Sequence, residues 1–137
     1  MILLWKRSDG NDRAVKRPSI MNLSLIVLKT DNVAGLVSFY SKLGLTFEEH
    51  QHGKGPVHFA AEINETVFEI YPLAKGGARP DDTTRIGFAI KNLDRMVLGL
   101  EKEGVIIISQ PKWRAWGYTA VVEGIDGRRI ELTNIEN

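Results

Sequence analysis

An internal repeat limits what this chain can fold into more than any other feature of its sequence. A shift of 60 residues places residues 25–32 on residues 85–92, and the apolar positions that follow coincide without a gap as far as Gly44 and Gly104. Repetition at a fixed period indicates two copies of one structural unit. Equivalent positions in the copies are therefore expected to occupy equivalent places in the fold, and to be able to face each other across one site.

Both copies predict the same order of elements. In the first, an apolar run at 23–28 is typical of a buried strand, and Asn32 is placed to cap a helix whose apolar residues recur at helical spacing up to Gly44. Alternating patterns then predict strands at 46–51, 57–63 and 67–71. The second copy predicts a strand at 86–90, a helix at 93–103, and strands at 105–109, 118–123 and 129–133. Each copy is β-α-β-β-β, so the fold class is α+β.

The positions of turn-forming residues predict how the chain is divided. Module one is expected at 21–73, a linker rich in Gly, Pro and Asp at 74–83, and module two at 84–137, together forming a single domain. Residues 1–20 stand apart because they show no periodicity and carry five basic residues against two acidic ones. We expect a flexible leader there; a basic arm that contacts a partner is the alternative.

Composition excludes several classes of function. The chain has 137 residues, no cysteine and a formal net charge of +1, so disulfides, thiolate zinc sites and cysteine nucleophiles are absent. Near-neutral charge gives no reason to expect nucleic acid as a partner. No apolar run reaches membrane-spanning length, and no membrane partner is expected. Together these features favour a cytoplasmic location.

Strand alternation predicts one face that covers each helix and one open face. The helix-covering face holds Ile26, Leu28, Phe59, Ala61, Ile63, Phe68, Ile70, Ile86, Phe88, Ile90, Ile130 and Leu132. The open face mixes apolar with charged side chains: Leu25, Val27, His58, Ala60, Glu62, Val67, Glu69, Tyr71, Arg85, Gly87, Ala89, Arg129, Glu131 and Thr133. Charged groups gathered on one strand face are expected of a pocket rather than of a core. Two such sheets side by side predict a curved cleft.

The chain resembles the vicinal oxygen chelate superfamily, which shares the glyoxalase/bleomycin-resistance/dioxygenase fold. The resemblance is carried by residues 26–33 leading into Ser38-Phe-Tyr-Ser-Lys-Leu-Gly-Leu45, by Phe68-Glu-Ile-Tyr71, and by Asp126-Gly-Arg-Arg-Ile-Glu-Leu132. It implies two tandem β-α-β-β-β modules around a mixed-sheet cleft. It also implies a homodimer, since many members of the superfamily pair two chains.

In metal-dependent members, the resemblance implies, each module supplies a histidine from its first strand and a glutamate from its last. Here Glu69 and Glu131 fill the glutamate positions, whereas the histidine positions hold Leu25 and Arg85. Leucine has no donor atom, and a permanently charged guanidinium repels a cation. We therefore predict a cleft with no metal and no cofactor. Arg85 either lies between the two carboxylates and meets a ligand there, or it is a structural remnant or extends to the rim of the cleft.

Five other residues are candidates on this face or near it. His58 is predicted to face the cleft, where it either pairs with Glu69 as acid and base or simply forms a hydrogen bond. His50 and His52 are expected to be exposed on the same hairpin. Trp113 and Trp116 either stack on a ligand or seal a sheet end or a dimer contact.

The function expected from the resemblance is binding of an unidentified small molecule in a metal-free cleft, through His58, Glu69, Arg85, Glu131, Trp113 and Trp116. Arg85 and Arg129 beside the two glutamates would suit zwitterions, anions or small polar carbonyl compounds. No catalytic residue is assigned. The alternatives are a lyase, isomerase or dioxygenase with a divalent metal relocated to His58, Glu69 and Glu131, and a non-catalytic interaction domain that uses the basic leader.

Overall fold

The computed structural model describes residues 20–77 and 79–136 of the chain. The predicted leader, apart from Ile20, lies outside these residues. Along them the elements follow in the order β1 (Leu25–Thr30), α1 (Val33–Lys42), β2 (Glu48–His50), β3 (His58–Ile63), β4 (Thr66–Pro72), β5 (Ile86–Ile90), α2 (Leu93–Lys102), β6 (Ile106–Arg114), β7 (Gly117–Glu123) and β8 (Arg129–Asn134). The order β-α-β-β-β predicted for each copy is confirmed.

The strands form two four-stranded sheets of matching topology. One has the order β1-β4-β3-β2 and the other β5-β8-β7-β6, so the first and last strands of each copy are neighbours. Both of these pairs are parallel, with Val27 opposite Glu69 in one and Gly87 opposite Glu131 in the other. The repeat in the sequence is therefore a repeat in the pairing of the strands as well.

Two strands differ most in length from the sequence prediction, and β1 lies two residues further along the chain, Leu25–Thr30 rather than 23–28. The second strand is shorter, Glu48–His50 rather than 46–51. Strand β6 is longer, Ile106–Arg114 rather than 105–109, and continues through Pro111. Proline donates no hydrogen bond, which usually ends a strand in the middle of a sheet. Since β6 is at the edge of its sheet, it can accommodate proline.

The two helices end alike but begin differently. Gly44 and Gly104 follow them with φ of 115° and 89°, backbone angles that glycine adopts with little strain. Asn32 caps α1, as predicted, by accepting a hydrogen bond from the backbone of Gly35. Its equivalent Asn92 is left-handed and makes no side-chain cap, and the first amide of α2 donates instead to Asn134 of β8. The repeat has diverged at this position.

The described residues fall into two compact units. The first contains residues 22–85 and the turn at 123–129, and the second contains residues 86–122 and 130–136. In the first, Tyr40 of α1 packs on Phe68 of β4 with ring centroids 4.9 Å apart, and the buried Phe39 ring lies 5.1 Å from that of Tyr40. In the second, the buried residues of α2 and β8 are Leu93, Val97, Leu100, Ile130 and Leu132. Each helix thus has an apolar side buried within its own unit.

A buried arginine holds the 123–129 turn within the first unit. Arg128 is 1% exposed and donates from Nη1 to the Asp81 carboxylate at 3.2 Å and from Nη2 to the Asp81 carbonyl at 2.5 Å. Asp126 lies 3.4 Å from the same guanidinium and is itself 2% exposed. Burial and the negative charge of Asp126 raise the pKa of the Tyr40 phenol well above its ordinary value of 10.0. Arg128 therefore links Asp81 of the linker to Asp126 of the turn, and the charge of Asp126 acts on Tyr40 of α1.

Among the residues that the structure describes, no helix is long and apolar enough to cross a membrane.

Candidate functional site

The open face of the first sheet is organised around Ala60. This residue of β3 lies in register with Glu69 of β4 on one side and with Glu48 of β2 on the other. Val27 of β1 continues the row beyond Glu69. Side chains in register on neighbouring strands point to the same face. Two carboxylates therefore flank a methyl group, and the short Ala60 side chain leaves a depression between them.

This depression belongs to a cavity of about 500 Å³. That volume is within the range of sites that bind small molecules. The lining residues all belong to the first unit: Thr46, Glu48, His50, His52, Ala60, Ala61, Glu62, Val67 and Glu69. The cavity is therefore formed by one module alone.

His58 lies in β3, on the same face, but is almost fully covered. It is 1% exposed, and its ring stacks on that of Tyr71 with centroids 4.1 Å apart and planes 7° apart. Its Nδ1 is 3.2 Å from the Pro56 carbonyl oxygen. Its Nε2 has no hydrogen-bond partner and lies 3.8 Å from a carboxylate oxygen of Glu69. A buried polar atom without a hydrogen-bond partner lowers the stability of the folded protein.

The chain's three histidines form one cluster in this unit. The ring centroids of His50 and His58 are 5.9 Å apart, those of His52 and His58 5.2 Å, and those of His50 and His52 6.2 Å. His50 also lies 3.5 Å from Glu48. His50 and His52 therefore lie beside His58. Both keep the exposure that the sequence predicted, since His52 is exposed and the His50 side chain is 41% exposed.

The other predicted site residues belong to the second copy. Arg85 directly precedes β5, and Glu131 is half-buried in β8 opposite Gly87. The meeting of Glu69, Arg85 and Glu131 at one site stays a prediction.

Aromatic side chains gather on the hairpin formed by β6 and β7. Trp113 is 68% exposed with its ring 5.2 Å from that of Tyr118, and the Arg114 guanidinium lies 5.9 Å from the ring of Trp116 in the turn. Tyr118 donates a 2.7 Å hydrogen bond to Asp94, which raises the pKa of its phenol. The two tryptophans are thus on or beside an edge strand, and a role in binding remains a prediction.

The residues of the first sheet do not fit the metal site of metal-dependent superfamily members. The histidine position of that site is Leu25, an aliphatic residue 51% exposed on the same face as Glu69. Across the described ranges 20–77 and 79–136, no group of three His, Asp or Glu residues is arranged to hold a metal ion. The planes of the His58 and His50 rings are 22° apart, so these rings lie face to face rather than converging on one point. The described residues of this sheet therefore do not form the metal site that the resemblance implies.

Solved structures share this architecture. An antibiotic-binding protein, TnmS3 from Streptomyces sp. CB03234, has a TM-score of 0.67 and 18% identity over 88% of this chain and all of its own. A glyoxalase/bleomycin resistance protein/dioxygenase family enzyme from Burkholderia phytofirmans PsJN has a TM-score of 0.66 and 16% identity, over 85% of this chain and all of its own. A possible glyoxalase from Bacillus cereus has a TM-score of 0.62 and 21% identity, over 82% of this chain and 98% of its own. The chain has the glyoxalase/bleomycin-resistance fold.

At such identities the likeness concerns the fold and not the chemistry. No family model matches the chain, and no curated protein does either. Within the glyoxalase/bleomycin-resistance fold, function depends on the residues of the site.

Sequence reasoning missed two parts of this site. Glu48 was not recognised as a lining residue, and the grouping of the exposed residues His50 and His52 with His58 was not predicted. The signal that could have found them is strand parity: Glu48 and His50 alternate with Glu49 on a strand paired with β3. Recognising this needed the register of the hairpin, which its long turn leaves undetermined in the sequence.

Proposed function

We propose that this protein binds a small organic molecule on the open face of its first sheet, without a metal. The cavity of about 500 Å³ at Ala60 carries this proposal. It has the volume of a small-molecule site, and the strand position that supplies a metal ligand elsewhere in the superfamily holds Leu25.

Three further observations support a binding role. The imidazole rings of His50 and His52 line the cavity and offer flat faces on which a planar ligand can stack. TnmS3, which shares the fold, is described as an antibiotic-binding protein. The unpartnered Nε2 of His58 beside Glu69 costs the free protein stability, as expected of a group retained for binding.

A ligand screen with a pocket-filling variant tests the proposal. We expect compounds from a small-molecule library to raise the melting temperature of the protein and to lose this effect in Ala60→Leu. Isothermal titration of the hits then gives affinity and stoichiometry. The proposal fails if no compound binds, or if binding is the same in Ala60→Leu.

The proposal includes three features inferred from the resemblance or from composition. The protein works as a homodimer, which sedimentation equilibrium tests. It works without a divalent metal: one equivalent of tightly held Ni, Zn, Fe or Mn in the purified protein, lost on substitution of His58 or Glu69, would favour the metal-dependent alternative. It acts in the cytoplasm, which cell fractionation tests.

A further inference from the structure

The charges that line the cavity all have one sign. Glu48, Glu62 and Glu69 are among its lining residues, and no lysine or arginine of the described chain is. Thr46, the apolar residues and the imidazole rings of His50 and His52 complete the lining. At neutral pH the cavity therefore attracts cations and repels anions.

Glu69 is the carboxylate that contributes most to this attraction. Its side chain is 19% exposed, whereas that of Glu48 is 80% exposed. Water screens the charge of an exposed carboxylate, so a partly covered one interacts more strongly with a bound cation. A cationic ligand that pairs with Glu69 therefore gains more binding free energy than one that pairs with Glu48.

His58 increases the need for a donor at this point. The Pro56 carbonyl oxygen can only accept a hydrogen bond, so the proton of a neutral His58 ring is on Nδ1. Nε2 then presents a lone pair towards Glu69, whose nearest oxygen is 3.8 Å away. Two acceptors face each other with no donor between them. A ligand that brings N–H groups to Glu69 also relieves this opposition.

The surroundings favour a donor that is flat. The His58 ring lies parallel to that of Tyr71, the His50 ring stacks on it with planes 22° apart, and the His52 ring is tilted by 36° with its centroid 5.2 Å away. Delocalised planar cations stack on such faces and form paired hydrogen bonds with a carboxylate, whereas a compact ammonium does neither as well.

We propose that the cavity at Ala60 selects ligands that carry a planar cationic hydrogen-bond donor, an amidinium or guanidinium group, which pairs with Glu69 and stacks on His50 and His52. This inference rests on the proposed function, because it names the chemical class of ligand for the same cavity. It departs from the zwitterions, anions or carbonyl compounds that Arg85 and Arg129 suggest in the sequence.

Three flat probes of one shape and different charge test this class. Benzamidine is cationic, benzamide neutral and benzoate anionic, and each is titrated at neutral pH by calorimetry and by NMR of the histidine imidazole nitrogens. A charge-assisted pair with Glu69 predicts that benzamidine binds at least about tenfold more tightly than benzamide. We expect benzoate to show no binding at millimolar concentration.

A matched pair of variants assigns the preference to one carboxylate. Glu69→Gln is expected to bring benzamidine to within about twofold of benzamide, since the amide keeps the shape and loses the charge. Glu65→Gln, in the exposed turn between β3 and β4, is expected to keep the full preference. A preference that survives Glu69→Gln would overturn the assignment.

The outcomes separate this inference from the function on which it rests. If benzamide or benzoate binds as tightly as benzamidine and Ala60→Leu abolishes that binding, the cavity binds small molecules and the cationic class is wrong. If none of the three probes binds at millimolar concentration, the planar cationic class is rejected, and the library screen decides the binding function separately.

Discussion

Ala60 of β3 lies in register with Glu69 of β4, so a single methyl group stands beside a carboxylate that is only 19% exposed. The neighbouring residue Ala61 also borders the cavity, but its side chain points to the other face, in register with the buried Phe68, and Ala61 is 3% exposed. Two adjacent alanines therefore have different roles. One leaves space for a ligand, and the other leaves space for the core.

We expect Ala60→Leu to abolish ligand binding while changing the free energy of unfolding by less than about 1 kcal/mol. The added side chain would occupy the cavity but meet no core atoms. Titration with any ligand found for the protein, together with urea unfolding, measures both effects.

Ala61→Leu is the matched control. It overpacks the core and should cost about 1–3 kcal/mol of stability. Equal loss of stability in both variants would contradict the assignment of the two faces.

The strand faces were predictable because alternation in β3 and β4 is clear in the sequence. The buried positions Phe68, Ile70 and Ala61 follow from that pattern, as do the open positions of Ala60 and Glu69. Repetition at a fixed shift predicted the same order of elements in both copies, and the resemblance predicted the fold. The pairing of the first strand with the last in each sheet was not predicted.

The electrostatic details of the structure could not be predicted from the sequence. Arg128 looks like an ordinary surface arginine in a turn, and only the approach of Asp81 across 47 residues of sequence explains its burial. The cluster of three histidines depends on the register of a hairpin whose turn has no standard length. Both features arise from contacts between distant segments, to which local pattern is insensitive.

His58 is expected to be retained for binding rather than for stability. His58→Phe keeps a ring against Tyr71, removes Nε2, which has no hydrogen-bond partner, and loses the hydrogen bond between Nδ1 and the Pro56 carbonyl oxygen. Because these two changes oppose each other, we expect the free energy of unfolding to stay within about 1 kcal/mol of the wild type, with weaker ligand binding.

Tyr71→Leu provides the comparison for His58→Phe, because it removes the stacked ring. It should lower stability by about 1 kcal/mol. A loss above about 2 kcal/mol in His58→Phe would show that the imidazole stabilises the fold.

Removal of Arg128 should be among the most damaging single changes in the first unit. Arg128→Met keeps the apolar stem but leaves Asp126, 2% exposed, without its cation. Breaking a buried pair in this way costs about 3–5 kcal/mol. Thermal and urea unfolding measure the loss.

The partner change Asp126→Asn in the Arg128→Met background tests the cause. Removing the stranded charge should restore part of the lost stability, giving a coupling energy of at least about 1 kcal/mol. Simple additivity of the two changes would show that the Arg128 guanidinium and the Asp126 carboxylate do not interact.

The Asp81 carboxylate should make stability depend on pH in the acid range. Hydrogen bonds from Thr84 and Thr83 hold its pKa well below the ordinary value of 3.8. The unfolded chain therefore takes up a proton before the folded chain does, so this contribution is complete above about pH 4 and is lost as the pH falls further.

Urea unfolding between neutral and strongly acid pH checks this expectation. Asp81→Asn should be less stable than the wild type at neutral pH, and the two should converge as the pH falls. Asp82→Asn, whose carboxylate takes part in none of these hydrogen bonds, should keep the wild-type dependence. An undiminished acid slope in Asp81→Asn would rule out Asp81 as its source.

The glycines of the second helix should respond to alanine with opposite signs. Gly104 has φ of 89° and no atom within 4 Å of an added Cβ, so Gly104→Ala introduces backbone strain alone and should cost about 1–2 kcal/mol. Gly99 has equally open space inside α2, and Gly99→Ala should increase the free energy of unfolding by about 0.5–1 kcal/mol through helix propensity.

Gly44, which follows the first helix, is the repeat equivalent of Gly104. It has φ of 115°, and Gly44→Ala should lower the free energy of unfolding by a similar amount to Gly104→Ala. Thermal unfolding of the three variants measures these shifts, and a neutral Gly104→Ala would mean that the end of α2 adopts another conformation.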